Sequence, residues 1–555
     1  MQSNEQQWLE ALEGNVEPWE LDSFRDAHER ADAFARDATF GTGGIRALMG
    51  IGPNRLNLLT VARATAGLAT HLHAVCDHVP VVAIAYDTRV HSRDFALVAA
   101  RVLAAYDAKA VVFAEHQPTP VLCYAVRWLG ADAGIVLTAS HNPMEYNGFK
   151  VYGSKGDQAT DELAHAVQAC IAQIDPFHVR TISLDEGLRG GAISWAPQEL
   201  LADYVQTVVG QSIGVDCSSV KLAYSPLNGT GLVPVQRVCE TRGIDCRVVE
   251  GQRDPDGTFP TCPKPNPEHA PAMADVMELA LREGCDLAVA NDPDADRIGV
   301  AVPHEGSMRL LSGDEVGLLL FDFLARAIPH EGNAIAATTI VSTPLHDSIA
   351  SANGVKLRRT LTGFKYIGEQ INLLEAQGRS SDFLLGMEES CGYLRGTYVR
   401  DKDGVVSLML ICELTAYHKE RGRDLAQALD DLYERYGHMV AHQVAAELPG
   451  TEGSEAIARI LAGLRAKSPK AIGGLAVKKT TDYAQGASMP GDASQTLPQA
   501  NVIEFDLEHN CKLIVRPSGT EPKVKAYCFA GGSTAQQAKE RLQNIVDAAQ
   551  HMLHA

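Results

Sequence analysis

Aromatic residues are scarce, only 6% of 555, and no CxxC pair occurs among the twelve cysteines, whose closest two are Cys239 and Cys246. This spacing excludes a cysteine metal knuckle and a dense disulfide framework, and it points to buried thiols in a reducing compartment. Uninterrupted apolar runs of about 18 residues, the length of a membrane-crossing helix, are also missing. The nearest approach, VGLLLFDFLARA, is broken by Asp322 and Arg326. Positive charge is in short supply: 49 Lys and Arg face 69 Asp and Glu, leaving a net charge of −20. Such a balance repels a phosphate backbone and excludes a general nucleic-acid binder. An anionic ligand must therefore meet a local basic pocket. The acidic, polar N-terminal stretch lacks the basic and apolar regions of a secretory signal. A cytoplasmic protein without a membrane partner is the expectation.

What is present is ample core material, 45% hydrophobic residues. At about 100–200 residues per domain, three to five domains are expected. Short β-branched runs alternate with helical-period stretches, as in βαβ units with a mostly parallel or mixed sheet. Strands are predicted over 81–86, 109–114, 134–138, 220–225, 286–290, 335–343 and 382–386, with a helix over 95–106. The last part differs, with antiparallel strands over 502–507, 512–517 and 523–530 and a closing amphipathic helix over 535–553. Polar or Gly/Pro-rich breaks near 205–218, 303–313 and 437–452 divide the chain into four pieces, expected as 1–207, 208–310, 311–437 and 438–555. The segment 483–500 reads as a mobile loop.

Four stretches carry candidate chemistry. In TASHNPMEYNGFKVY (138–152) a buried strand ends in a small-residue turn that exposes the Ser140 hydroxyl beside His141, at the strand end where α/β proteins bind ligands. In isolation Ser140 reads first as a helix cap or turn residue. NDPDADR (291–297) sets Asp292, Asp294 and Asp296 at alternate positions. On an extended stretch this alternation points all three carboxylates to one side, where only a divalent cation would relieve their repulsion. An EF-hand loop does not fit, because Arg297 stands where glycine is needed and Pro303 where the bidentate glutamate is needed. A solvated acidic turn remains the plain alternative.

LIVRPSGTEPKVKAY (513–527) offers Arg516, Ser518, Gly519 and Thr520 as donors to one phosphate, with Lys523 and Lys525 adding charge. A hairpin turn explains the same residues. In LGMEESCGYLRGTYVRDKDGV (385–405), Glu388 and Ser390 follow a strand and suit vicinal hydroxyls. An acidic loop is the ordinary reading there. LTGFKY (361–366) and FGTGGIRALMG (40–50) are glycine-bearing loops with one basic residue each, Lys365 and Arg46.

In this order the motifs FGTGGIR, TASHNP, DPDADR, TGFK, EES and RPSGTEP, spanning residues 40 to 527, resemble the α-D-phosphohexomutase superfamily. YSPLNGTG (224–231), KPNPE (264–268) and the long glycine-rich start are most similar to its phosphoglucomutase/phosphomannomutase branch, which includes phosphopentomutases. The resemblance implies an α/β protein of four domains around a central cleft: three related α/β domains with mixed sheets and a smaller C-terminal α+β domain. It implies that Ser140 carries a transferable phosphoryl group, which with Asp292, Asp294 and Asp296 binds one Mg²⁺, flanked by His141 and Arg297.

By the same resemblance Arg46, Lys150 and Lys402 are candidates for proton transfer or charge stabilisation. Glu388 and Ser390 would grip sugar hydroxyls, and Thr362, Gly363 and Lys365 would line that pocket. Arg516, Ser518, Gly519, Thr520 and Lys525 would hold the non-reacting phosphate. The implied reaction moves a phosphoryl group between the 1- and 6-positions of a hexose through a bound 1,6-bisphosphate such as glucose 1,6-bisphosphate, in a monomer or homodimer acting on small sugar phosphates. A phosphopentomutase or a glucose 1,6-bisphosphate synthase shares this machinery, a phosphatase would need water at phospho-Ser140, and a non-catalytic sensor would bind without turnover. Two departures stand out: Ala295 where glycine is frequent, and Cys391 where Tyr, Phe or Ala is often seen.

Overall fold

The computed structural model describes residues 4–41, 43–448, 450–517 and 523–554, which form two compact units. The first comprises Met1–Leu311, Gly368–Ser380 and Gly392–Tyr417. It contains two mixed sheets. In the first sheet the strands run in the order Gly44–Leu48, Tyr146–Gly153, Ala133–Leu137, Val81–Tyr86, Lys109–Val112 and Ile193–Trp195. Val81–Tyr86 is parallel to both of its neighbours, whereas Tyr146–Gly153 returns antiparallel to Ala133–Leu137. The central strands are apolar on both faces because helices cover them. Val82, Ile84, Ile135 and Leu137 pack with Leu68 of helix Leu58–Val75 and Leu103 of helix Ser92–Ala105.

The second sheet of this unit has the order Ser307–Leu311, Ile298–His304, Leu287–Asn291, Lys221–Ser225 and Asp245–Val248. Lys221–Ser225 is parallel to both neighbours, and Ile298–His304 turns back antiparallel. Ala223, Ala288 and Ala290 face Met273 and Val276 of helix Ala270–Glu283. Short helices, beginning with Asn4–Leu12, precede the first sheet, and Trp8 and Leu12 form a small core with Ile51, which follows strand Gly44–Leu48.

The second unit comprises Ser312–Ile367, Ser381–Cys391 and His418–Ala555. Its strand Ile335–Thr339 pairs in parallel with Lys356–Thr360 and with Phe383–Glu388. Its other sheet has the order His438–Glu447, Lys523–Gly532, Lys512–Pro517, Ile503–Leu507, Leu475–Asp482 and Ala471–Ile472, the successive pairs being antiparallel. Leu513, Val515, Ala526 and Cys528 pack against Ile545 and Leu553 of helix Ala535–His554.

Three expectations change. The strand expected over 335–343 stops at Thr339, where the Ile340 N–H turns to the Thr360 carbonyl at 2.8 Å. Phe383–Glu388 runs two residues beyond its expected end, so Glu388 closes a strand instead of opening a loop. The segment 483–500 is not a loose loop: it holds the antiparallel pair Ala487–Met489 and Asp492–Leu497. Asp492 is anchored by Lys356 and by Arg358, each at 2.9 Å, and the Arg359 N–H donates to the Pro490 carbonyl at 3.0 Å. Local composition suggested flexibility, but charges on a strand distant in sequence impose order. No described helix is long and apolar enough to cross a membrane. All twelve cysteines are free thiols.

Candidate active site

Ser140 lies three residues beyond strand Ala133–Leu137 with a left-handed backbone, φ +53°. That conformation costs a residue with a side chain about 1–2 kcal/mol, so the surroundings must impose it. Arg89 does so. Its guanidinium donates to the carbonyls of Ser140 and Asn142 at 2.5 Å, of Pro143 at 2.9 Å and of Tyr146 at 3.1 Å. Asp87 pairs with its Nε at 3.2 Å, and the Phe259 ring lies 4.9 Å beneath it. The Ser140 N–H donates to Thr138 Oγ1 at 2.9 Å. Gly148 on the neighbouring strand allows the close approach, since a Cβ there would lie 2.3 Å from the Thr138 carbonyl oxygen.

The acidic segment follows strand Leu287–Asn291 as a tight turn. Its carboxylates converge for a reason other than strand alternation: the Ala295 N–H donates to the Asp292 carbonyl at 2.8 Å, and Ala295 is left-handed, φ +52°. This is the backbone geometry that glycine adopts without strain, so glycine suits the position and Ala295 occupies it at a cost of about 1–2 kcal/mol. The Asn291 side chain closes the turn by donating to the Arg297 carbonyl at 2.7 Å. One oxygen each from Asp292, Asp294 and Asp296 lie within 4.8 Å of one another, and all three residues are buried.

Around this trio the sequence candidates of the first unit assemble. The Ser140 hydroxyl donates to Asp292 Oδ2 at 2.6 Å and lies 3.3 Å from His141 Nδ1. Lys150 Nζ reaches Asp294 Oδ2 at 2.9 Å, and Lys402 Nζ reaches Asp296 Oδ2 at 2.9 Å. Gly404 lets the segment bearing Lys402 lie on the acidic turn: its N–H donates to the Ala295 carbonyl at 3.1 Å, and a Cβ there would meet the Asn291 amide nitrogen at 2.4 Å. The Arg297 N–H donates to Asp292 Oδ1 at 3.0 Å, and its guanidinium pairs with Glu268 at 3.1 Å. Arg46 donates to Asn142 Oδ1 at 3.3 Å.

Electrostatics follow from this packing. Burial, reinforced by Asp294 and Asp296, pushes the Asp292 carboxyl well above its ordinary range, and burial with Asp294 raises Asp296. Burial would raise Asp294 too, but Lys150 outweighs it and holds that group well below the usual range. Burial, with Arg297 and Arg46 nearby, keeps His141 well below its usual value and hence neutral at pH 7. Asp294 Oδ1 and Asp296 Oδ1 are buried and accept no hydrogen bond. Three carboxylates and a hydroxyl, with two of the carboxylate oxygens unsatisfied, are a donor set suited to a hard divalent cation.

In the second unit Glu388 is buried, and its Oε1 accepts the Gly363 N–H at 3.0 Å. This brings the TGFK and EES stretches together, with Thr362 and Ser390 half-buried and Lys365 placed 4.9 Å over the Tyr366 ring. Cys391 is buried and left-handed, φ +62°. Arg516 lies directly opposite Lys525 across paired strands. Ser518, Gly519 and Thr520 lie outside the described residues.

Two residues at the site were not singled out in the sequence. Arg89 shapes the Ser140 turn, and Thr119 fixes Asp294 through its hydroxyl at 3.0 Å and its N–H to the Asp294 carbonyl at 2.9 Å. A signal existed for Arg89, which lies just past strand Val81–Tyr86 on the same strand-end side as Ser140. Thr119, at the start of helix Thr119–Leu129, reads locally as part of a helix N-terminus only.

Comparison with known proteins places the chain in a family. The phosphoglucomutase of Staphylococcus epidermidis RP62A is 33% identical over 527 residues, covering 94% of this chain and 95% of that protein. A phosphoglucomutase/phosphomannomutase family protein from Burkholderia thailandensis shares the fold with a TM-score of 0.69 at 19% identity, over 93% of this chain and 97% of that one. Parafusin, a phosphoglucomutase from Paramecium, does so with 0.70 at 18% identity, over 93% and 95%. Residues 37–177, 202–306 and 312–436 match the phosphoglucomutase/phosphomannomutase alpha/beta/alpha domains I, II and III in turn. With Ser140 and the aspartate trio supplied by the first two of these domains, the chain belongs to the phosphoglucomutase/phosphomannomutase family of the α-D-phosphohexomutases.

Proposed function

We propose that this protein is a phosphosugar mutase that moves a phosphoryl group between the 1- and 6-positions of a hexose, glucose or mannose phosphate being the substrate. The observation that carries this reading is the strained Ser140 hydroxyl held 2.6 Å from Asp292 beside two further buried carboxylates and two lysines. Ser140 is the phosphoryl carrier. In the forward half-reaction the bond between phosphorus and Ser140 Oγ breaks as a bond forms to a free sugar hydroxyl, whose proton leaves to a basic group. Candidates for that proton are Lys150, Lys402 and Arg46. The product of this half-reaction is a sugar 1,6-bisphosphate. Return of its other phosphoryl group to Ser140 Oγ completes the isomerisation.

Phosphoryl transfer needs positioning and charge neutralisation above all. Arg89 positions Ser140 through the backbone, and Lys150 and Lys402 bring positive charge to the site. Arg297 and neutral His141 flank the nucleophile. Asp292, Asp294 and Asp296, with Ser140, are the residues that would hold Mg²⁺. That cation, when bound, withdraws charge from the transferring phosphoryl oxygens. Glu388, Ser390, Thr362, Gly363 and Lys365 serve sugar hydroxyls, and Arg516, Lys525, Ser518, Gly519 and Thr520 serve the second phosphate. The domain boundaries we propose are 1–207, 208–310, 311–437 and 438–555. The net charge of −20 and the absence of a spanning helix among the described residues support a cytoplasmic enzyme of small phosphosugars, without nucleic-acid partners.

The test is to supply glucose 1-phosphate, mannose 1-phosphate and ribose 1-phosphate side by side with Mg²⁺ and catalytic bisphosphate, using wild type and Ser140→Ala. Wild type interconverts a hexose phosphate and the variant does not, while its circular dichroism is unchanged. Turnover retained in Ser140→Ala overturns the assignment, and turnover of the ribose ester alone makes the enzyme a phosphopentomutase.

A further inference from the structure

A second group of metal-ligating side chains lies in the first unit, apart from the aspartate trio. Cys76 caps the C-terminal end of helix Leu58–Val75, His78 follows two residues later, and Asp132 immediately precedes strand Ala133–Leu137. One ligand atom each from Cys76, His78 and Asp132 lie within 4.8 Å of one another. His78 Nε2 is 3.0 Å from Asp132 Oδ1, and the Cys76 sulfur lies within 4.8 Å of a ligand atom on each of these residues. We propose that Cys76, His78 and Asp132 form a binding site for a thiophilic divalent metal of the Zn²⁺ class.

Four features support a built site. Bond lengths of about 2.3 Å to sulfur and about 2.0–2.2 Å to nitrogen and oxygen give tetrahedral edges of about 3.3–3.6 Å, so the His78–Asp132 pair at 3.0 Å opens slightly and the other separations, all within 4.8 Å, close by about 1.5 Å or less onto one ion. The imidazole is already aimed: its Nδ1 is 3.1 Å from Asp77 Oδ1, leaving Nε2 directed at Asp132. A carboxylate behind a histidine ligand is the arrangement that fixes ring orientation and raises ligand basicity in metal centres. Asp132 is anchored as well, since its Oδ2 accepts the Val81 N–H at 2.9 Å. Finally, His78 is 57% exposed, so an ion can enter and a water can take the fourth position.

A thiolate, an imidazole and a carboxylate select Zn²⁺, Co²⁺ or Ni²⁺ over Mg²⁺, which favours the all-oxygen trio at Asp292. The chain therefore sorts two kinds of metal by donor chemistry. Binding releases two protons to solvent, the Cys76 thiol proton and the His78 Nε2 proton that faces Asp132, leaving an anionic sulfur and a neutral imidazole on the ion. It ties the end of a helix to the start of two central strands of the first sheet.

Co²⁺ is the probe, titrated into the full-length protein in saturating Mg²⁺ so that the oxygen site is filled. The expected result is a thiolate-to-Co²⁺ charge-transfer band in the near ultraviolet that saturates at one equivalent and is displaced by Zn²⁺. The band disappears in Cys76→Ser and persists in Cys170→Ser. His78→Gln, at an exposed position that folding does not require, weakens binding at least about tenfold, and Asp77→Asn weakens it about 10- to 100-fold through the ring. No thiolate band in the wild type, or a band that survives Cys76→Ser, overturns the proposal. Mutase turnover in Mg²⁺ is unchanged in Cys76→Ser.

Discussion

Two buried acidic places in this protein differ in how completely their oxygens are satisfied. At Asp492, one carboxylate meets Lys356 and Arg358, each at 2.9 Å, and Ser494 donates to it as well. In the first unit, the trio Asp292, Asp294 and Asp296 meets two lysines and, 3.7 Å from Asp296, Arg297, yet two of its oxygens accept no hydrogen bond. The first arrangement is complete within the chain and serves to order a hairpin. The second leaves buried carboxylate oxygens without a donor, and an unsatisfied buried cluster of that kind marks a place where a charged ligand belongs.

The comparison breaks most visibly in turnover. Asp292→Asn should lower mutase activity by at least about 100-fold, in the range seen when one electrostatic stabiliser is lost, with a thermal midpoint unchanged or raised in metal-free buffer because a repulsive charge is gone. A fall in stability with activity intact would make the trio structural. Next in size is the response to cations: Mg²⁺ at a hundredfold excess over its Kd should stabilise the wild type by about 2.7 kcal/mol. The same titration should leave Asp292→Asn nearly unmoved in calorimetry.

Asp492→Asn should behave in the opposite sense. It leaves two cations without their carboxylate, costing about 1–3 kcal/mol in denaturant unfolding, while kcat per folded molecule stays at the wild-type value. The smallest effect is the pH dependence of that loss. Burial would raise the Asp492 carboxyl, but Ser494, Lys356 and Arg358 outweigh it and hold the group well below its ordinary value of 3.8. A carboxyl lowered by folding stabilises fully above its unfolded value and loses that contribution as pH falls below it. The gap between wild type and Asp492→Asn should therefore be constant near neutrality and narrow below pH 3.8. A gap independent of pH would remove the ion pairs as its cause.

Much of the site was legible in the sequence because phosphoryl chemistry depends on short contiguous runs. Ser140, the three aspartates and Lys150 come from two such runs, and their strand-end positions follow from the apolar residues that precede them. The spacing argument for the aspartates named the right residues through the wrong geometry, since a turn with a left-handed Ala295 gathers them. Arg89 and Thr119 stayed hidden because each acts on backbone or on one carboxylate across the fold, which no local pattern records. The hairpin at 487–497 stayed hidden for a related reason: its glycine, proline and small polar residues look loose until Lys356 and Arg358 are placed beside it. Helix and strand cores were the easiest to read, as at Val81–Tyr86, where the apolar run and the observed strand coincide.

The grip of Arg89 on the Ser140 turn is made entirely on peptide carbonyls, at residues 140, 142, 143 and 146. Every amino acid presents the same oxygen, so residues such as Asn142 or Tyr146 can drift over evolutionary time without loosening the Ser140 hydroxyl. Position 89 enjoys no such latitude, since no exchange within the turn could restore a lost five-donor fork. A library randomised at both places should return many solutions at the turn and a single one at the arginine.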